Sequence, residues 1–553
     1  MSQGLETGSS PGKGPNIEAR LTHNIGAEVI TVIIQIVFGV ASSMLIVRGL
    51  PQTPVYEFYI YILIFAWANI LVPVGIGGID VALMKHIPEV MSSQSSSLYR
   101  VIRWACVASL AASLGIIFLV NLLLVWLPLG SLVPVYVVPF FQLALITVPL
   151  VAVSMILQGV FRGMQKMRFC AEAMGVFHGI FVAGLVYLFF TGTMNILSVI
   201  VINLVASTVT IIFEVGILAM LLRQYRREGV MEGESVSSRL ITGTALQAFV
   251  LTMLGALFVN SPLLIANLFR TSDVIFAGLG LALGVSVYLH QGQAAPFRVL
   301  IPRVSGDVKA QAWVSLKQYT QRAWKLGLLV AAFVMVTIAF FANPVMVVFF
   351  AEAGVVAAPF LVLMTGSFLI YPLATMLMDT LIGLGKIRSV LVTYAVWNVV
   401  NIAALWLLCP LAGELVAALI WLVGLPFLSF LIVVFRQRIA IRMTVPFLSR
   451  IIGVLLGISL VSCVVVWVGG MLMAFLSLSG SVAWFFQIVL LLVLLPISAL
   501  YFWSLIRIRV LDAIDVNALV QIVGVLDPIS RPIVWFIKRL SRITDRERVN
   551  SAG

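Results

Sequence analysis

Residues 163–168 read GMQKMR, and residues 383–388 read GLGKIR. Each hexapeptide follows a long apolar stretch and leads into a short polar segment. A second pair, IPEV at 87–90 and IPRV at 301–304, has nearly the same offset, and each member precedes a tryptophan near the next apolar run, Trp104 or Trp324. Two matches at nearly equal offsets predict an internal duplication of a membrane domain.

The composition places the chain in a membrane. Hydrophobic residues make up 62% of the 553 residues and charged residues only 10%, which is too little charge to coat a water-soluble protein of this length. The net charge of +13 is explained by basic cytoplasmic loops, and we expect no nucleic-acid partner. The spacing of the four cysteines fits neither a disulfide framework nor a metal site; they are Cys106, Cys170, Cys409 and Cys463.

A membrane-spanning helix needs about 20 mostly apolar residues, and by this criterion the sequence predicts about fourteen spans. Their approximate ranges are 24–47, 56–77, 104–127, 137–160, 170–191, 195–222, 241–262, 273–297, 324–349, 355–383, 389–409, 411–435, 447–474 and 482–505. With both termini in the cytoplasm, all 34 Lys and Arg residues except Arg48 and Arg270 lie on the cytoplasmic side. The distribution of positive charge therefore predicts a multi-pass protein of the cell (plasma) membrane with both termini inside.

These features predict six segments along the chain. They are a disordered cytoplasmic tail (1–22), an N-terminal six-helix bundle (23–222), a cytoplasmic linker (223–240), a C-terminal six-helix bundle (241–435), two additional transmembrane helices (446–505) and a basic amphipathic cytoplasmic tail (506–553). Residues 528–548 of the last tail alternate apolar and basic residues at helical spacing, which is typical of a helix on an anionic lipid surface and also of an ordinary basic stop-transfer tail. Because two halves in one chain already form a substrate path between them, we expect a monomer.

Polar residues inside the predicted spans are candidates for a water-filled cavity or a coupling ion, because they are costly in hydrocarbon. In the first span Glu28 and Gln35 share a helix face, as do Asn69 and Asp80 around the end of the second. Such residues also join helices through buried hydrogen bonds, and both interpretations stay open. The candidates for H⁺ or Na⁺ coupling, or for lining the cavity, are Glu28, Asp80, Glu214, His178, His290 and Asp379. Glu172 is a further candidate for coupling. No other cofactor and no metal site is expected.

The two cations on the non-cytoplasmic side are candidates for substrate binding. Arg48 and Arg270 occupy comparable positions in the two halves, and arginine binds phosphate groups with two parallel hydrogen bonds. Two plainer interpretations remain, namely that Arg270 pairs with Asp273 and that Arg48 anchors its helix at the interface. The substrate-binding hypothesis comprises Arg48, Arg270, Gln35, Asn69 and Gln247.

The end of the second span reads GIGGIDVALMKHIPEV at 75–90. Gly75, Gly77 and Gly78 would let this span bend or pack closely where it leaves the membrane. We interpret the glycines as a gate hinge that leads into a short, turn-rich exit, with Asp80 at the cytoplasmic mouth.

Several of these stretches together resemble the polysaccharide-flippase branch of the multidrug/oligosaccharidyl-lipid/polysaccharide (MOP) exporter superfamily. They are HNIGAEV (23–29), SMLIVRGLP (43–51), GIDVALMKHIPE (78–89), GVFRGMQKMR (159–168), VLIPRVSGD (299–307) and GLGKIR (383–388). One departure is that Asp80 follows the glycines instead of preceding them. The resemblance, over residues 22–435, implies an all-α integral membrane fold of two six-helix bundles in a V around a central cavity. It also implies alternating access and the movement of lipid-linked sugars to the outer leaflet.

The leading functional prediction is therefore a flippase for a polyprenyl-(pyro)phosphate-linked oligosaccharide used in cell-surface polysaccharide or glycan assembly, and not an enzyme. The chain has no GxxxxGK[ST] loop for nucleotide binding. One alternative is a multidrug or cation antiporter of the same superfamily. A second alternative, a membrane-embedded polysaccharide polymerase or ligase, is disfavoured because the predicted outer loops are short and hold few acidic residues.

Overall fold

A computed structural model shows a helical protein. The structure describes residues 17–50, 54–92, 98–126, 137–164, 166–227, 238–270, 272–294, 304, 308, 311, 313–419, 445–475, 480–508 and 510. The described residues contain helices and no strand, as expected for a chain that must satisfy its backbone hydrogen bonds within each span. The side chain of Glu28 is outside the described part, and so is most of the predicted span 411–435 and nearly all of the predicted tail 506–553.

The helices of the N-terminal half follow the predicted spans, with one addition. They are α1 (Ile17–Gly49), α2 (Pro54–Ile76), α3 (Ile79–Ser92), α4 (Leu98–Trp126), α5 (Val138–Leu145), α6 (Thr147–Gly163), α7 (Met167–Thr191) and α8 (Ile196–Arg227). The interpretation of residues 79–92 as a turn-rich exit was wrong, because these residues form the regular helix α3. Ile79, Leu83 and Ile87 lie at helical spacing and are buried, and this apolar face stabilises the helix.

The C-terminal half contains α9 (Ser238–Leu268), α10 (Asp273–Ala294), α11 (Trp313–Leu363), α12 (Ser367–Gly383), α13 (Ile387–Ala412) and α14 (Glu414–Leu419). Helix α11 is broken at Ala351, whose φ of 51° and ψ of −126° are not helical. The break falls between the predicted spans 324–349 and 355–383, so that two spans share one nearly continuous element.

The last three helices pack against the C-terminal half. These are α15 (Val445–Phe475), α16 (Gly480–Leu492) and α17 (Leu494–Arg507). A buried cluster joins Leu329 and Phe341 of α11 to Ile458 of α15 and Tyr501 of α17. The Tyr501 hydroxyl also donates a 2.8 Å hydrogen bond to the Leu329 carbonyl oxygen, so the additional helices are docked on α11.

Eleven segments of the described residues are long and apolar enough to cross a membrane, and two shorter apolar helices, Ile33–Gly49 and Ser367–Gly383, accompany them. Many large apolar side chains face outward, such as Phe118 of α4 at 71% exposure and Leu411 of α13 at 80%. An outward apolar surface of this kind suits lipid and not water. The protein is an all-α, multi-pass integral membrane protein.

The two halves meet along the antiparallel pair α2 and α9. Tyr59 of α2 contacts Asn267 near the end of α9, whereas Gly78, just after α2, contacts residues 245–249 near the beginning of α9. We name these the Arg270 end and the Gly78 end; along α9 they are about 30 Å apart at 1.5 Å per residue. Helices α1 and α10 form the counterpart pair, since Gly39 packs against the Tyr288 ring.

Candidate functional site

The Gly78 end is built on a break between α2 and α3. Gly77 and Gly78 have φ angles of 61° and 67°, in the left-handed region that side-chain-bearing residues rarely adopt. The Gly77 amide still donates to the Pro73 carbonyl at 3.0 Å, and the Ala82 amide donates to the Gly78 carbonyl at 3.2 Å. The chain therefore turns sharply from one helix into the next without leaving these two amides unpaired.

Gly78 also allows the two halves to come into contact. A Cβ atom there would overlap the Phe249 nitrogen and the Ala245 oxygen and lie 2.8 Å from the Ala248 carbonyl carbon of α9. Gly75 serves a different contact, because its carbonyl accepts a 2.8 Å hydrogen bond from the Ser109 hydroxyl of α4. The structure thus places the three predicted hinge glycines together, with one of them touching the opposite half; their motion as a hinge stays a prediction.

At the Arg270 end, polar side chains join the halves. The Tyr59 hydroxyl donates to the Asn267 Oδ1 atom at 3.0 Å. Arg270 donates from Nη1 to the same oxygen at 3.0 Å and from Nε to Asp273 Oδ1 at 2.9 Å. Its guanidinium carbon lies 5.0 Å from the centre of the Tyr59 ring, within range of a cation–π interaction.

Arg48 makes a separate contact between the halves. Its Nη2 atom donates a 2.8 Å hydrogen bond to the Val348 carbonyl oxygen of α11. The predicted pairing of Arg270 with Asp273 is present, and it leaves the phosphate-binding hypothesis for the two arginines as a prediction. Both guanidinium groups lie where the two halves touch, so any motion of the halves would rearrange them.

The other predicted substrate-binding residues lie on three helices. Gln35 of α1 donates from Nε2 to the Met174 sulfur of α7 at 3.6 Å. Asn69 is exposed on α2, and Gln247 is half-buried on α9.

Among the predicted carboxylates whose side chains the structure describes, Glu214 of α8 is the most deeply buried, with 0% exposure. Its Oε1 atom accepts hydrogen bonds from the Ser154 hydroxyl at 2.9 Å and from Gln158 Nε2 at 3.2 Å. Its Oε2 atom is buried and has no hydrogen-bond partner among the described residues. A buried carboxylate with one oxygen unpaired is unusual in a folded protein.

Arg162 of α6 supplies positive charge to this region. Its charge acts on Glu214 and also on Asp80 of α3. Burial raises the pKa of the Asp80 carboxyl, and the Val81 backbone N–H and the Arg162 charge oppose this shift only in part. Ser154, Gln158 and Arg162 were not predicted as site residues, although their spacing of four, across the end of the predicted fourth span, puts them on one helix face.

The other candidates for ion coupling lie apart from Glu214. The His178 ring of α7 stacks on Phe38 of α1 at 6.3 Å between centroids. Asp379 is half-buried on α12, and Glu172 pairs with Arg168 at 2.7 Å near the surface. No group of three or more His, Cys, Asp or Glu residues within the described ranges could hold a metal ion.

His290 lies in a cavity inside the C-terminal half. The cavity has a volume of about 100 Å³ and is lined mainly by apolar side chains of α9, α10 and α12, with Tyr394 of α13. His290 shares a 3.0 Å hydrogen bond with the Ser367 hydroxyl, and its ring lies 4.7 Å from that of Tyr371. This cavity is mainly apolar, with few polar groups.

No protein-family model and no curated protein matches the sequence, but solved structures do. An inward-facing multidrug resistance MATE family transporter of the MOP superfamily is 13% identical, with a TM-score of 0.59 over 75% of this chain and 98% of that chain. The lipid II flippase MurJ, in an inward closed conformation, is 14% identical, with a TM-score of 0.59 over 87% of this chain and all of that chain. A MOP superfamily transporter from Pyrococcus furiosus is 15% identical, with a TM-score of 0.53 over 76% of this chain and 95% of that chain.

The chain has the fold of the MOP superfamily transporters. The predicted resemblance is thereby confirmed at the level of the fold. Within the MOP fold of this chain, the Gly78 end, the Arg270 end and the α1–α10 contact all lie between the two halves. The Glu214 region lies within the N-terminal half and the His290 cavity within the C-terminal half.

Proposed function

We propose that this protein is a transporter that flips a polyprenyl-(pyro)phosphate-linked oligosaccharide from the cytoplasmic to the outer leaflet by alternating access. The observation that carries the proposal is the match to the lipid II flippase, which extends over 87% of the chain, against 75–77% for two MATE transporters. The additional share is about as long as the segment Val445–Arg507 that forms α15 to α17.

The contacts between the halves support alternating access. The halves touch at the Gly78 end through backbone atoms and at the Arg270 end through side-chain hydrogen bonds. A transporter must break one of these contacts while it keeps the other, since access alternates between the two sides. Arg48 and Arg270 would be released when the Arg270 end opens, and could then bind the phosphate groups of the carrier lipid.

The test is the sidedness of lipid-linked oligosaccharide in spheroplasts of the native cell after depletion of the protein. We expect accumulation in the inner leaflet, relieved by the intact protein but not by the double variant Arg48→Ala, Arg270→Ala. The matched control is Arg168→Ala, which removes an exposed arginine in the N-terminal half. Normal sidedness after depletion would overturn the proposal.

A second candidate function is a multidrug or cation antiporter, which is favoured by the buried carboxylate of Glu214. In that case depletion would leave the oligosaccharide correctly sided and would cause new sensitivity to cationic dyes. If the oligosaccharide instead reached the outer leaflet but stayed unpolymerised, a polymerase or ligase activity would have to be considered again.

A further inference from the structure

Helix α3 is held between the two halves at the Gly78 end. On one side it packs on α6, where a Cβ atom at Gly159 would lie 2.8 Å from the Asp80 carbonyl oxygen and one at Gly163 would lie 2.9 Å from the Leu83 carbonyl oxygen. On the other side, Gly78 at its beginning touches the backbone of α9. Because these are backbone contacts, a small shift of α3 on α6 must also move the contact with α9.

Asp80 lies in the first turn of α3, two residues after Gly78. Its Oδ1 atom is buried and has no hydrogen-bond partner among the described residues. The nearby positive charge of Arg162 comes from α6, the helix on which α3 packs. The attraction between these two charges therefore acts across the α3–α6 contact.

Glu214, which lies on α8, competes with Asp80 for the positive charge of Arg162. It is fully buried, and Arg162 acts on it as well as on Asp80. Two carboxylates and one guanidinium group leave one negative charge uncompensated while both carboxylates are ionised. Taking one proton removes that charge, and a buried carboxylate with an unpaired oxygen is a suitable group to take it.

The groups that face Glu214 from neighbouring helices are consistent with Glu214 as the group that takes the proton. Helix α6 contributes Ser154, Gln158 and Arg162. Helix α7 carries Cys170, whose sulfur contacts the Gln158 carbonyl oxygen, as well as Glu172 and His178, which contact Arg168 and Phe38 instead. Helices α2 and α5 also contact α8. The titratable residues of α2 are Tyr56, Glu57, Tyr59 and Tyr61, and α5 has none.

A proton suits the site better than a sodium ion. Sodium requires several oxygen ligands, and a guanidinium group nearby would repel it. Glu214 offers one unpaired carboxylate oxygen, and the described part of the chain holds no group of three or more His, Cys, Asp or Glu side chains that could hold a metal ion.

We propose that Glu214 is the proton-binding group of a charge switch in which Arg162 divides its charge between Glu214 and Asp80 and thereby controls closure of the Gly78 end. When Glu214 is protonated, Arg162 interacts fully with Asp80, α3 stays on α6, and Gly78 stays against α9. When Glu214 loses the proton, it draws Arg162 away from Asp80, and the Gly78 end loosens. The inference rests on the transporter part of the proposed function and requires no particular substrate.

Hydrogen exchange measured by mass spectrometry on the full chain in lipid nanodiscs tests the switch. The readout is the protection of peptides covering 76–92 and 238–250 between pH 5.5 and 8.5, corrected for the intrinsic pH dependence of exchange. We expect protection to fall by roughly fivefold or more as the pH rises, the usual size of a coupling between sites. Protection that does not depend on pH would overturn the proposal.

Two variants should change the protection of these peptides in opposite directions. Glu214→Gln imitates the protonated state and should keep both peptides protected at every pH. Asp80→Asn removes the competing partner of Arg162 and should leave them weakly protected at every pH. Since structural damage would lower protection in both variants, opposite effects identify the switch and equal losses overturn it. The control Glu352→Gln, at an exposed carboxylate on α11 of the opposite half, should follow the unmodified protein.

Sodium is tested in the same experiment. Protection that changes with NaCl at constant pH, and not with KCl, would replace the proton by sodium and overturn the assignment. No sugar-linked lipid enters the measurement, so its failure would leave the flippase proposal intact. Equally, a normal sidedness of lipid-linked oligosaccharide in depleted cells would not affect the switch.

Discussion

Tyr59 and Asn267 join the two halves of the protein by a single 3.0 Å hydrogen bond at the Arg270 end. Tyr59 is fully buried, and its ring also packs edge-on against Phe276 of α10 at 5.3 Å between centroids. The hydroxyl and the ring thus bind different helices of the opposite half. Opening of this end requires both contacts to break.

Tyr59→Phe should therefore weaken closure at the Arg270 end without disturbing the packing of the ring. Loss of one intramolecular hydrogen bond costs about 1 kcal/mol, which corresponds to roughly a fivefold shift toward the open state. Hydrogen exchange of peptides covering 262–276 measures this shift. Tyr187→Phe, at a ring that is 67% exposed on α7, is the control. Equal exchange in the two variants would contradict a role for the bond in closure.

Three glycine variants separate backbone strain from contact between the halves. Gly192→Ala places alanine at a φ of 66° in open space, Gly179→Ala adds a methyl group in open space on α7, and Gly78→Ala combines a φ of 67° with overlap on α9. A left-handed alanine costs about 1–2 kcal/mol. We expect the thermal unfolding midpoint in detergent to be unchanged or slightly raised for Gly179→Ala, because alanine favours a helix over glycine, lowered for Gly192→Ala and lowered most for Gly78→Ala. A Gly78→Ala midpoint equal to that of Gly192→Ala would show that the contact with α9 contributes nothing.

Much of the fold could be predicted because apolar length and the two repeated motifs are local properties of the sequence. Helix α3 could not, because the charges of Asp80, Lys85 and His86 resemble those of a membrane exit. What makes α3 a packed helix is the absence of side chains at Gly159 and Gly163 of α6, which are distant in sequence. Close packing of this kind is a tertiary property.

The sequence predicted the two carboxylates near Arg162 but not that they share its charge, because this arrangement too depends on tertiary packing. Glu214 and Asp80 were recognised separately as costly charges, but Arg162 was counted among the cations of a cytoplasmic loop. The structure packs its helix α6 against α3 at Asp80 through Gly159 and joins α6 to Glu214 through Gln158, so that the charge of Arg162 acts on both carboxylates. Gln158 and Ser154 lie one and two turns before Arg162 on the same face of α6, and they could have indicated that this face points inward.

Arg270→Lys tests whether the shape of the arginine side chain matters at the Arg270 end. The planar guanidinium group of Arg270 donates to Asn267 and Asp273 and at the same time lies over the Tyr59 ring. Lysine keeps the positive charge but cannot make all three contacts at once. For the proposed flippase activity we expect a drop of about tenfold in the rate at which lipid-linked oligosaccharide reaches the outer leaflet, equivalent to about 1.4 kcal/mol. Arg168→Lys, at the exposed pair with Glu172, should retain the full rate. An unchanged rate for Arg270→Lys would show that a positive charge alone is sufficient.

Tyr501 should determine whether α15 to α17 stay docked on α11. It is fully buried, donates to the Leu329 carbonyl at 2.8 Å and has its ring 5.0 Å from that of Phe333. Tyr501→Phe loses the hydrogen bond, about 1 kcal/mol, whereas Tyr501→Ala also leaves a cavity, which for a large aromatic residue costs about 3–5 kcal/mol.

The measurement is the thermal unfolding midpoint together with hydrogen exchange of peptides covering 445–507. We expect Tyr501→Ala to lower the midpoint and to expose these peptides selectively, while peptides of the N-terminal half keep their protection. Phe485→Ala, on the outward face of α16 at 64% exposure, is the control and should change neither quantity. If the undocked helices take part in transport, Tyr501→Ala will also slow flipping of the oligosaccharide. Undocking with an unchanged flipping rate would assign these helices to packing alone.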